Sequence, residues 1–567
     1  MARAVSAVTE QRRLDEAIAR LQGAAPRWAR APVPERIALA RSMLRGTIRT
    51  AERAVAAACA AKRIPPDAPQ AGEEWTSGPY VTARVLRQLA HSLAMLARNG
   101  NTPVGRLAET VDGRQSVRVF PATRQDALLF PGVSAEVHLE EGVDEAALNE
   151  TRARFYKAPT HGGRVCLVLG AGNVNSIPPT DVAAKLFNEG KVCVLKMNPL
   201  NAYLGPLLEE AFSAAIEQDL LAVVYGGPAE GSYLAYHPGV AEVHITGSDR
   251  THDLLVWGPP GPERAERMAR GRPLLAKEIT SELGNVSPVL VVPGPWDAAT
   301  LRAQAESVAG MVTHNASFHC TSGKMLVTPR GWRHRDAFLA GVEHFMALLP
   351  ARAAWYPGAL DRYRTLTEGR AAVRRVGHGE DALPWTLVTG LDPDSKDPAF
   401  STEPFCSILS ETSVGSEDPV EYLDRAVDFA NERLWGTLSA NLVVHPRTLA
   451  DPSLRAATER AIRRLRYGTV AVNVWTGYGF AFGTTPWGAY PGAALTDIQS
   501  GRGFVHNTLM LERVEKIVVR HPARPLVKPP YFPSHRTANL LGRRLLELEA
   551  RGSWFALPGV VAAGVRG

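Results

Sequence analysis

The first hundred residues have apolar side chains at helical spacing. Leu14, Ala17, Ile18 and Leu21 fall on one face of a helix, and a second apolar face runs from Ile37 to Ile48. A third lies between Val81 and Leu96 and is followed by Gly100, a residue that typically ends helices. This part of the chain is therefore predicted to be helical.

Between Arg164 and Val292 the pattern changes to short β-rich runs, each followed by a small-residue turn and a helical stretch. The runs are RVCLVLG, KVCVLK, LAVVYGG, VAEVHITG and, later, SPVLVV. Strands that alternate with helices in this way predict parallel βαβ units and a doubly wound α/β sheet. Such sheets bind ligands at the carboxyl ends of their strands, so we expect a cofactor there.

Two segments interrupt or extend this pattern. The Pro-, Gly- and Arg-rich stretch from Trp257 to Pro273 reads as an insertion or a mobile loop within a longer link covering about 249–273. The chain becomes Pro-rich after Pro522 and then contains one amphipathic stretch at Ala538 to Leu548. We interpret residues 522–567 as a C-terminal extension, either an interaction element or a helix packed on the protein's own surface.

Length, charge and cysteine content narrow the class of protein. The 567 residues suit two or three domains, and the net charge of +7, from 64 basic and 57 acidic residues, is spread without the clusters of a nucleic-acid binder. The five cysteines are widely spaced, which favours neither disulfides nor a metal site and indicates a reducing compartment. With no secretory signal and no apolar run long enough for a membrane span, we expect a cytoplasmic protein.

Cys320 is the first candidate for chemistry. It lies in HNASFHCTSGK, among small, polar, loop-forming residues, whereas Cys166 and Cys193 lie in apolar runs. Backbone N–H groups and an Asn amide beside a thiol could stabilise an oxyanion on a thiol adduct. A dyad with the adjacent His319 is disfavoured, because consecutive side chains seldom point at each other.

Glu282, in ITSELGNVSPVLVV, is the second candidate. It precedes a Gly-Asn turn that leads into a buried strand, so its carboxyl group is expected to be partly desolvated and its pKa raised toward that of a general base. The alternative is a solvated surface carboxylate. The turns GAGNVNSIPP and TGSDR, each after a predicted strand, are weak phosphate-binding signals when taken singly.

In this order, the motifs resemble those of the aldehyde dehydrogenase superfamily over roughly residues 35–521. The matching positions are Asn173 (with Asn175 as a rival), Lys196, Thr246-Gly247-Ser248, Glu282-Leu283-Gly284-Asn285, Phe318-His319-Cys320-Thr321 and Glu403-Pro404-Phe405. The resemblance implies a Cys320 nucleophile, a Glu282 general base and an Asn173 oxyanion donor. It also implies that Lys196, Gly247, Ser248, Glu403 and Phe405 bind NAD or NADP, and that no metal is needed.

The resemblance further implies an architecture. We expect an α/β protein with a Rossmann-like NAD(P)-binding domain and N-terminal helices in residues 1–283, including bridging strands within about 125–160. A catalytic domain would follow in 284–490, then a return and oligomerisation strand in 491–521. Subunits of this superfamily associate through strands, so a homodimer or homotetramer is expected.

Departures from the superfamily pattern leave some questions open. Phe318-His319 replaces the usual Gly-Gln before the nucleophile, and Asn285 replaces a glycine. Met197-Asn198-Pro199 follows Lys196 where a ribose-binding Glu is common. Such a Glu would repel a 2′-phosphate, so its absence leaves NADP possible and the cofactor preference open.

The implied reaction is NAD(P)-dependent oxidation of an aldehyde to a carboxylic acid through a thiohemiacetal and a thioester on Cys320. A CoA-acylating dehydrogenase or acyl-CoA reductase is the alternative, since such enzymes keep the Cys but commonly lack the Glu. A non-catalytic homologue is a third interpretation. Aromatic residues in VNVWTGYGFAFGTTPWGAY favour an apolar, aromatic or long-chain aldehyde, unless they pack the core.

Overall fold

The computed structural model describes residues 2–158, 161–377, 379, 381–552 and 554–567, with side chains from residue 11 onward. Pro159 and Thr160, at the end of the predicted bridging region, and Ser553 in the predicted extension lie outside the described residues, as do Met1, His378 and Glu380. In these ranges the strands are β1 Leu107–Glu109, β2 Gln115–Phe120, β3 Ser134–Leu139, β4 Val165–Leu169, β5 Val192–Lys196, β6 Leu221–Val224, β7 Glu242–Gly247, β8 Glu278–Leu283, β9 Pro288–Val291, β10 Met325–Pro329, β11 Arg352–Ala353, β12 Val373–Val376, β13 Ala382–Leu383, β14 Trp385–Leu391, β15 Ile408–Val414, β16 Ser439–Val443, β17 Thr469–Val472, β18 Trp487–Gly488, β19 Gly501–Arg502, β20 Phe504–Val505 and β21 Val514–Arg520.

The α-helices of the same ranges are α1 Ala2–Ala29, α2 Val33–Ala61, α3 Ala71–Trp75, α4 Val81–Asn99, α5 Arg124–Leu129, α6 Glu145–Thr151, α7 Arg154–Lys157, α8 Ile177–Ala183, α9 Gly205–Ala211, α10 Ser213–Ile216, α11 Pro228–Tyr236, α12 Asp249–Trp257, α13 Pro262–Ala269, α14 Ala298–Thr313, α15 Arg335–Met346, α16 Ala359–Thr367, α17 Pro398–Ser401, α18 Pro419–Arg433, α19 Pro446–Ala450, α20 Pro452–Arg464, α21 Gly477–Ala481, α22 Ala538–Arg551 and α23 Leu557–Val565. Short π-helical turns, Thr76–Tyr80 and Ala184–Asn188, precede α4 and extend α8.

The predicted N-terminal helices are confirmed. α1 buries Leu14, Ile18 and Leu21 against the smaller of two large sheets, and α4 ends at Gly100 in the left-handed conformation (φ +70°). Gly suits that position because it has no Cβ to clash with the carbonyl that follows. Within the described ranges, none of the helices is both long and apolar enough to cross a membrane.

The smaller sheet has six strands in the order β19-β8-β7-β4-β5-β6, and all of its neighbours are parallel except β19 against β8. The first four predicted β-rich runs form β4, β5, β6 and β7, so the doubly wound α/β prediction is confirmed for them. The buried residues of α1, α2 and α4 pack in one apolar core with the strands of this sheet.

The run SPVLVV, predicted in the same series, belongs elsewhere. It forms β9, which pairs with β10 and β16 in the other large sheet. The place next to β7 is taken by β8, whose polar residues gave no clear strand signal. An all-apolar run indicates a buried strand, but its composition does not identify the sheet that buries it.

The larger sheet has eleven strands in the order β1-β2-β3-β21-β17-β16-β9-β10-β15-β14-β12. Its centre is parallel, from β21 to β14, and antiparallel strands flank it on both edges. β3, from the predicted bridging region, pairs with β21 of the same chain. The predicted boundary at 283/284 falls between β8 and β9, where the chain passes from one sheet to the other. The full domain division and the association into dimers or tetramers stay predictions.

The segment 257–273, interpreted as an insertion or a mobile loop, contains a helix that the loop interpretation did not predict. Its middle, Pro262–Ala269 (8 residues), is helix α13, which begins with Pro262 at its first position, where the missing N–H carries no cost. Ion pairs four residues apart, Arg267 with Glu263 and Arg270 with Glu266, join successive turns. The abundance of Pro, Gly and Arg suggested a loop, but the charge spacing is that of an exposed helix.

The C-terminal extension packs on the protein's own surface. It contains two helices, α22 and α23, where the sequence predicted one. Gly72 and Gly542 mark close approaches between α22 and the α3 region, because a Cβ at either glycine would meet backbone or side-chain atoms of the other segment within 2.6 Å. The extension is thus an integrated layer of the fold.

Candidate functional site

Cys320 lies in the loop between α14 and β10. The preceding turn, His314–Ser317, contains three successive non-glycine residues with left-handed φ: Asn315 (52°), Ala316 (54°) and Ser317 (68°). L-residues adopt this conformation at an energetic cost, so the surrounding contacts must hold the turn. Strained backbone of this kind is concentrated at functional sites.

Cys320 is also the most exposed of the five cysteines: it is half-buried, whereas Cys59, Cys166, Cys193 and Cys406 are buried. Burial raises the pKa of the Cys320 thiol well above its usual range, and the nearby Glu282 carboxylate raises it further. The resting side chain is therefore a thiol, and its use as a nucleophile requires a base.

Glu282 is a buried carboxylate in contact with that thiol. It lies on β8 between Thr246 of β7 and Gly501 of β19, it is 4% exposed, and it interacts with the Cys320 thiol. Burial raises the pKa of Glu282 to about 8, while a hydrogen bond from Trp487 Nε1 to Glu282 Oε1 (3.2 Å) lowers it in part. The alternative of a solvated surface carboxylate is wrong, because β8 is an interior strand of the sheet.

A second buried carboxylate, which the sequence did not single out, lies near Glu282. Asp181 of α8 is fully buried, accepts a hydrogen bond from Thr246 Oγ1 (2.8 Å) and lies 3.5 Å from His244 Nε2. Its negative charge adds to the raised pKa of Glu282. Asp181 follows GAGNVNSIPP by a few residues and sits in an apolar helix, so its position carried no motif signal.

Of the two asparagines weighed as oxyanion donors, Asn173 is the one at the nucleophile loop. Its Nδ2 donates to the carbonyl of Phe318, two residues before Cys320 (3.0 Å). Asn175 turns away and donates from Nδ2 to Glu74 Oε2 (2.8 Å). The geometry therefore favours Asn173 over Asn175 for the predicted role.

Three of the predicted cofactor residues lie at the same edge of the smaller sheet. Lys196 ends β5, and Gly247 and Ser248 end β7 and begin α12. Gly247 and Ser248 are exposed, whereas Lys196 is buried, and this burial lowers the pKa of its amine. A helix start beside an exposed glycine at the carboxyl edge of a parallel sheet is suited to a diphosphate, so these residues fit a dinucleotide.

Glu403 and Phe405 reach the Cys320 loop through Lys324 and Phe318. Glu403 forms an ion pair with Lys324, whose Nζ also donates to the carbonyls of Cys320 (2.9 Å) and Asn285 (3.0 Å). Phe405 packs against Phe318, with ring centroids 5.9 Å apart. Lys324 had no assigned role, although its place four residues after Cys320 in the same motif was a usable signal.

The aromatic segment divides between site and core. Phe480 and Trp487 pack in one apolar cluster with Cys320, Leu438 and Val505. The Trp475 indole donates to the carbonyl of Thr321 (2.7 Å), next to the nucleophile. Tyr478 and Phe482 pack instead in the core of the larger sheet. About half of the aromatic residues therefore surround the candidate site, and the rest are structural.

His319 does not form a dyad with Cys320 in the described contacts. Its Nε2 pairs with His314 Nδ1 (2.9 Å), and both rings pack on Trp475. Burial lowers the pKa of each imidazole, so both remain neutral.

Comparisons with known proteins agree with this architecture. No protein-family profile matches the chain. Over 128 residues the chain is 34% identical to 4-trimethylaminobutyraldehyde dehydrogenase of Homo sapiens, covering 22% of this chain and 23% of that protein. Over 300 residues it is 29% identical to aminoacetaldehyde dehydrogenase of Pseudomonas aeruginosa, covering 50% of this chain and 53% of that protein. The chain thus spans about half or less of the length of these two relatives.

A solved structure extends the likeness to nearly the whole fold. The NADP-dependent glyceraldehyde-3-phosphate dehydrogenase from Bacillus halodurans, complexed with NADP, superposes with a TM-score of 0.59 at 18% identity, covering 90% of this chain and 91% of that one. The resemblance drawn from the motifs is confirmed at the level of the fold: the chain has the aldehyde dehydrogenase fold, and parts of its sequence are similar to enzymes of that superfamily.

Proposed function

We propose that this protein oxidises an aldehyde to a carboxylic acid, with NAD or NADP as hydride acceptor and Cys320 as nucleophile. The observation that carries the proposal is the Glu282 carboxylate, buried on β8 and in contact with the Cys320 thiol. A carboxylate with a pKa of about 8 can exchange a proton with a thiol or a water near neutral pH.

Glu282 first accepts the thiol proton as Cys320 Sγ bonds to the aldehyde carbon, giving a thiohemiacetal. The charge that develops on the former carbonyl oxygen meets the Asn173 amide and the backbone N–H of Cys320. One such donor typically accelerates a reaction roughly 10²- to 10³-fold. Asn173 is suited to this role because its bond to Phe318 fixes the amide beside the nucleophile loop.

The residues at the sheet edge would hold the cofactor. Gly247 and Ser248 would contact its diphosphate and Lys196 the adenosine ribose, while Glu403 and Phe405 would lie at the nicotinamide ribose. When bound, the nicotinamide supplies the hydride acceptor that converts the thiohemiacetal into a thioester. Asn198 is not acidic, so this residue does not repel a 2′-phosphate, and both cofactors are tested below.

After the proton taken from Cys320 has passed to solvent, the Glu282 carboxylate deprotonates a water that attacks the thioester carbon, and it returns that water's proton to the sulfur. The carbon–sulfur bond breaks, the carboxylic acid leaves, and the Cys320 thiol is restored. Because the Glu282 carboxylate already lies beside the acylated sulfur, we favour hydrolysis of the thioester over transfer of the acyl group to coenzyme A.

The substrate class follows from the surroundings of Cys320. Phe480, Trp487, Leu438 and Val505 form an apolar cluster with the nucleophile. Such walls bind an apolar aldehyde, aromatic or long-chain, more strongly than a small hydrophilic one.

The test follows absorbance at 340 nm with NAD and NADP separately, over a panel of aliphatic and aromatic aldehydes. We expect turnover without coenzyme A in the wild type and none in Cys320→Ala. Cys166→Ala, a buried thiol on β4, is the matched control and should retain activity. Glu282→Gln removes the group proposed for both proton transfers, so it should form the thioester slowly, release at most one reduced cofactor per active site, and leave a thioester that hydroxylamine cleaves.

Two results would contradict the proposal. Turnover that requires coenzyme A would assign the acylating reaction instead. Activity of Cys320→Ala equal to the wild type, or no reaction and no burst with any aldehyde, would point to a different reaction or a non-catalytic protein.

A further inference from the structure

Lys62, from the N-terminal helical region, contacts the turn that precedes Cys320. It follows the last residue of α2 and is 4% exposed. Its Nζ donates to Glu74 Oε1 (2.7 Å), to Asn315 Oδ1 (2.9 Å) and to the carbonyl of Asn173 (3.4 Å). An ammonium group has three N–H donors, so these partners account for all of them.

Asn315 connects Lys62 to the strained turn. Its Nδ2 donates to the carbonyls of Asn173 (3.0 Å) and Phe318 (3.2 Å), and its backbone N–H donates to Glu73 Oε2 (3.1 Å). Asn315 is also the first of the three left-handed residues before Cys320. The bond from Lys62 to Asn315 Oδ1 therefore fixes the orientation of the Asn315 side-chain amide. That orientation directs Nδ2 of the same amide toward the carbonyls of Asn173 and Phe318.

Asn173 is held at both ends by the same cluster. Its carbonyl accepts from Lys62 and Asn315, and its side-chain Nδ2 donates to Phe318. A carboxamide nitrogen has two N–H donors, so the bond to Phe318 uses one and orients the other. The position of the candidate oxyanion donor thus depends on a lysine that never touches the reacting atoms.

The charges of the cluster are balanced and shielded. Lys62 forms an ion pair with Glu74, and Arg352 forms one with Glu73 (Nη1 to Oε2, 3.3 Å). All four side chains are at most 10% exposed. The Trp355 ring lies 5.0 Å from Lys62 Nζ. A buried lysine whose three N–H donors all have partners holds a single geometry, since any displacement leaves a donor unpaired.

We propose that Lys62 is a positioning residue for oxyanion stabilisation, acting through Asn173. The inference rests on the proposed function, which gives Asn173 its role. Loss of the lysine removes a donor from the Asn173 carbonyl and from Asn315, and small misplacements of a catalytic group are costly to the rate.

The test uses the full-length protein and two reactions of Cys320. p-Nitrophenyl acetate acylates the sulfur through an oxyanion and releases p-nitrophenolate, without cofactor or aldehyde. Iodoacetamide alkylates the same sulfur by displacement of iodide, without an oxyanion. We expect Asn173→Ala to slow acylation roughly 10²-fold and Lys62→Met to slow it roughly tenfold. Neither should change the alkylation rate by more than about twofold.

The double variant tests whether the two residues act together. If Lys62 acts through Asn173, Lys62→Met adds nothing to Asn173→Ala, and the double variant acylates at the rate of Asn173→Ala alone. Additive effects, or equal losses in acylation and alkylation, would overturn the inference while leaving the Asn173 assignment intact. An Asn173→Ala variant that acylates normally would overturn the oxyanion assignment itself, and the Lys62 inference with it.

Two further variants guard against a loss of folding. Lys185→Met removes a buried lysine that is paired with Glu242, the first residue of β7, at the amino end of the strand. This variant should leave the acylation rate unchanged. If Lys62→Met does not fold, Lys62→Met/Glu74→Gln removes both charges of the pair and must still show slowed acylation with normal alkylation.

Discussion

The indole Nε1 of Trp487 donates to Glu282 Oε1 at 3.2 Å, joining the β18 segment to the interior strand that carries the candidate base. Burial and the charges of Asp181 and Glu403 raise the pKa of this carboxyl group, and the Trp487 bond opposes them. One aromatic side chain therefore both encloses the site and adjusts its base.

Trp487→Phe should make Glu282 a base that works only at higher pH. The indole bond stabilises the carboxylate, so its loss raises the pKa of Glu282 above about 8. We expect the rising limb of the pH profile for thioester hydrolysis to move to higher pH by roughly half a unit to one unit. Activity should fall at pH 7 and recover by pH 10.

The matched control is Trp296→Phe, which removes a buried indole that donates to the carbonyl of Val292 away from Cys320. Its pH profile should stay at the wild-type position. A Trp487→Phe profile that coincides with the control would contradict the assignment of Glu282 as the base.

Glu282→Gln should become more stable than the wild type as the pH rises. The ordinary pKa of this carboxyl is 4.5 and the folded value is about 8, so folding favours the protonated form. The stability that this provides is complete below pH 4.5 and is lost as the pH rises through 8. Each pKa unit corresponds to about 1.4 kcal/mol, so the loss amounts to a few kcal/mol at most.

Urea denaturation of both proteins at pH 5, 7 and 9 measures this difference. The free energy of unfolding of Glu282→Gln minus that of the wild type should grow from pH 5 to pH 9. A constant difference would mean that Glu282 ionises normally in the folded protein.

Much of the fold could be predicted from the sequence, because local pattern and burial agree there. β4 to β7 are short apolar runs between small-residue turns, and α4 has a continuous apolar face with Gly100 at its end. β8 has no such pattern: Glu282 and Ser281 are polar, and only the neighbouring strands make the segment a strand. Cys320, Glu282 and Asn173 were found because each stands in a local motif.

Lys62, Glu74 and Asp181 could not be found in that way. Lys62 meets Asn315 across 253 residues, and nothing near either one in the chain indicates the contact. Such partners are chosen by tertiary packing, which places unpaired buried groups within reach of each other. The helix α13 was not predicted because its local sequence is ambiguous: its Pro residue and the neighbouring Gly residues are compatible both with a loop and with a helix start.

Gly284→Ala should displace Glu403 without disturbing the backbone. A Cβ at residue 284 would lie 1.9 Å from Glu403 Oε2, and Glu403 supplies all three nearest atoms. The end of a flexible side chain moves more easily than a strand, so the carboxylate leaves its place beside Lys324. If Glu403 holds the nicotinamide ribose, the KM for the cofactor should rise roughly tenfold, the effect of losing about one hydrogen bond to a charged group.

The measurement is the KM for NAD or NADP together with the melting temperature. Gly23→Ala, in α1, is the control, because a Cβ there meets no atom within 4 Å. It should change neither quantity by much. An unchanged cofactor KM in Gly284→Ala would remove Glu403 from the cofactor site.

Glu549→Ala should show that the C-terminal extension stabilises the whole protein. The side chain of Glu549, on α22, is 2% exposed, and so is that of Arg84. Arg84 Nη1 donates a hydrogen bond to the Glu549 carboxylate (2.9 Å), and Arg87 contacts the same carboxylate. Removing Glu549 takes one carboxylate from the buried Arg84, which keeps its ion pair with Asp126 (3.0 Å), so the cost should approach but not exceed the roughly 3 to 5 kcal/mol of a buried charge left without a partner.

Glu547→Ala provides the comparison on the same helix. Its ion pair with Arg544 is exposed, so its loss should cost roughly 0 to 1 kcal/mol. The free energy of unfolding from urea titrations should therefore fall much further for Glu549→Ala. Because Arg84 Nε also donates to the carbonyl of Phe482 (2.9 Å), the buried pair links the extension to the core of the larger sheet. Equal losses for the two variants would mean that α22 contributes no more than an exposed helix does.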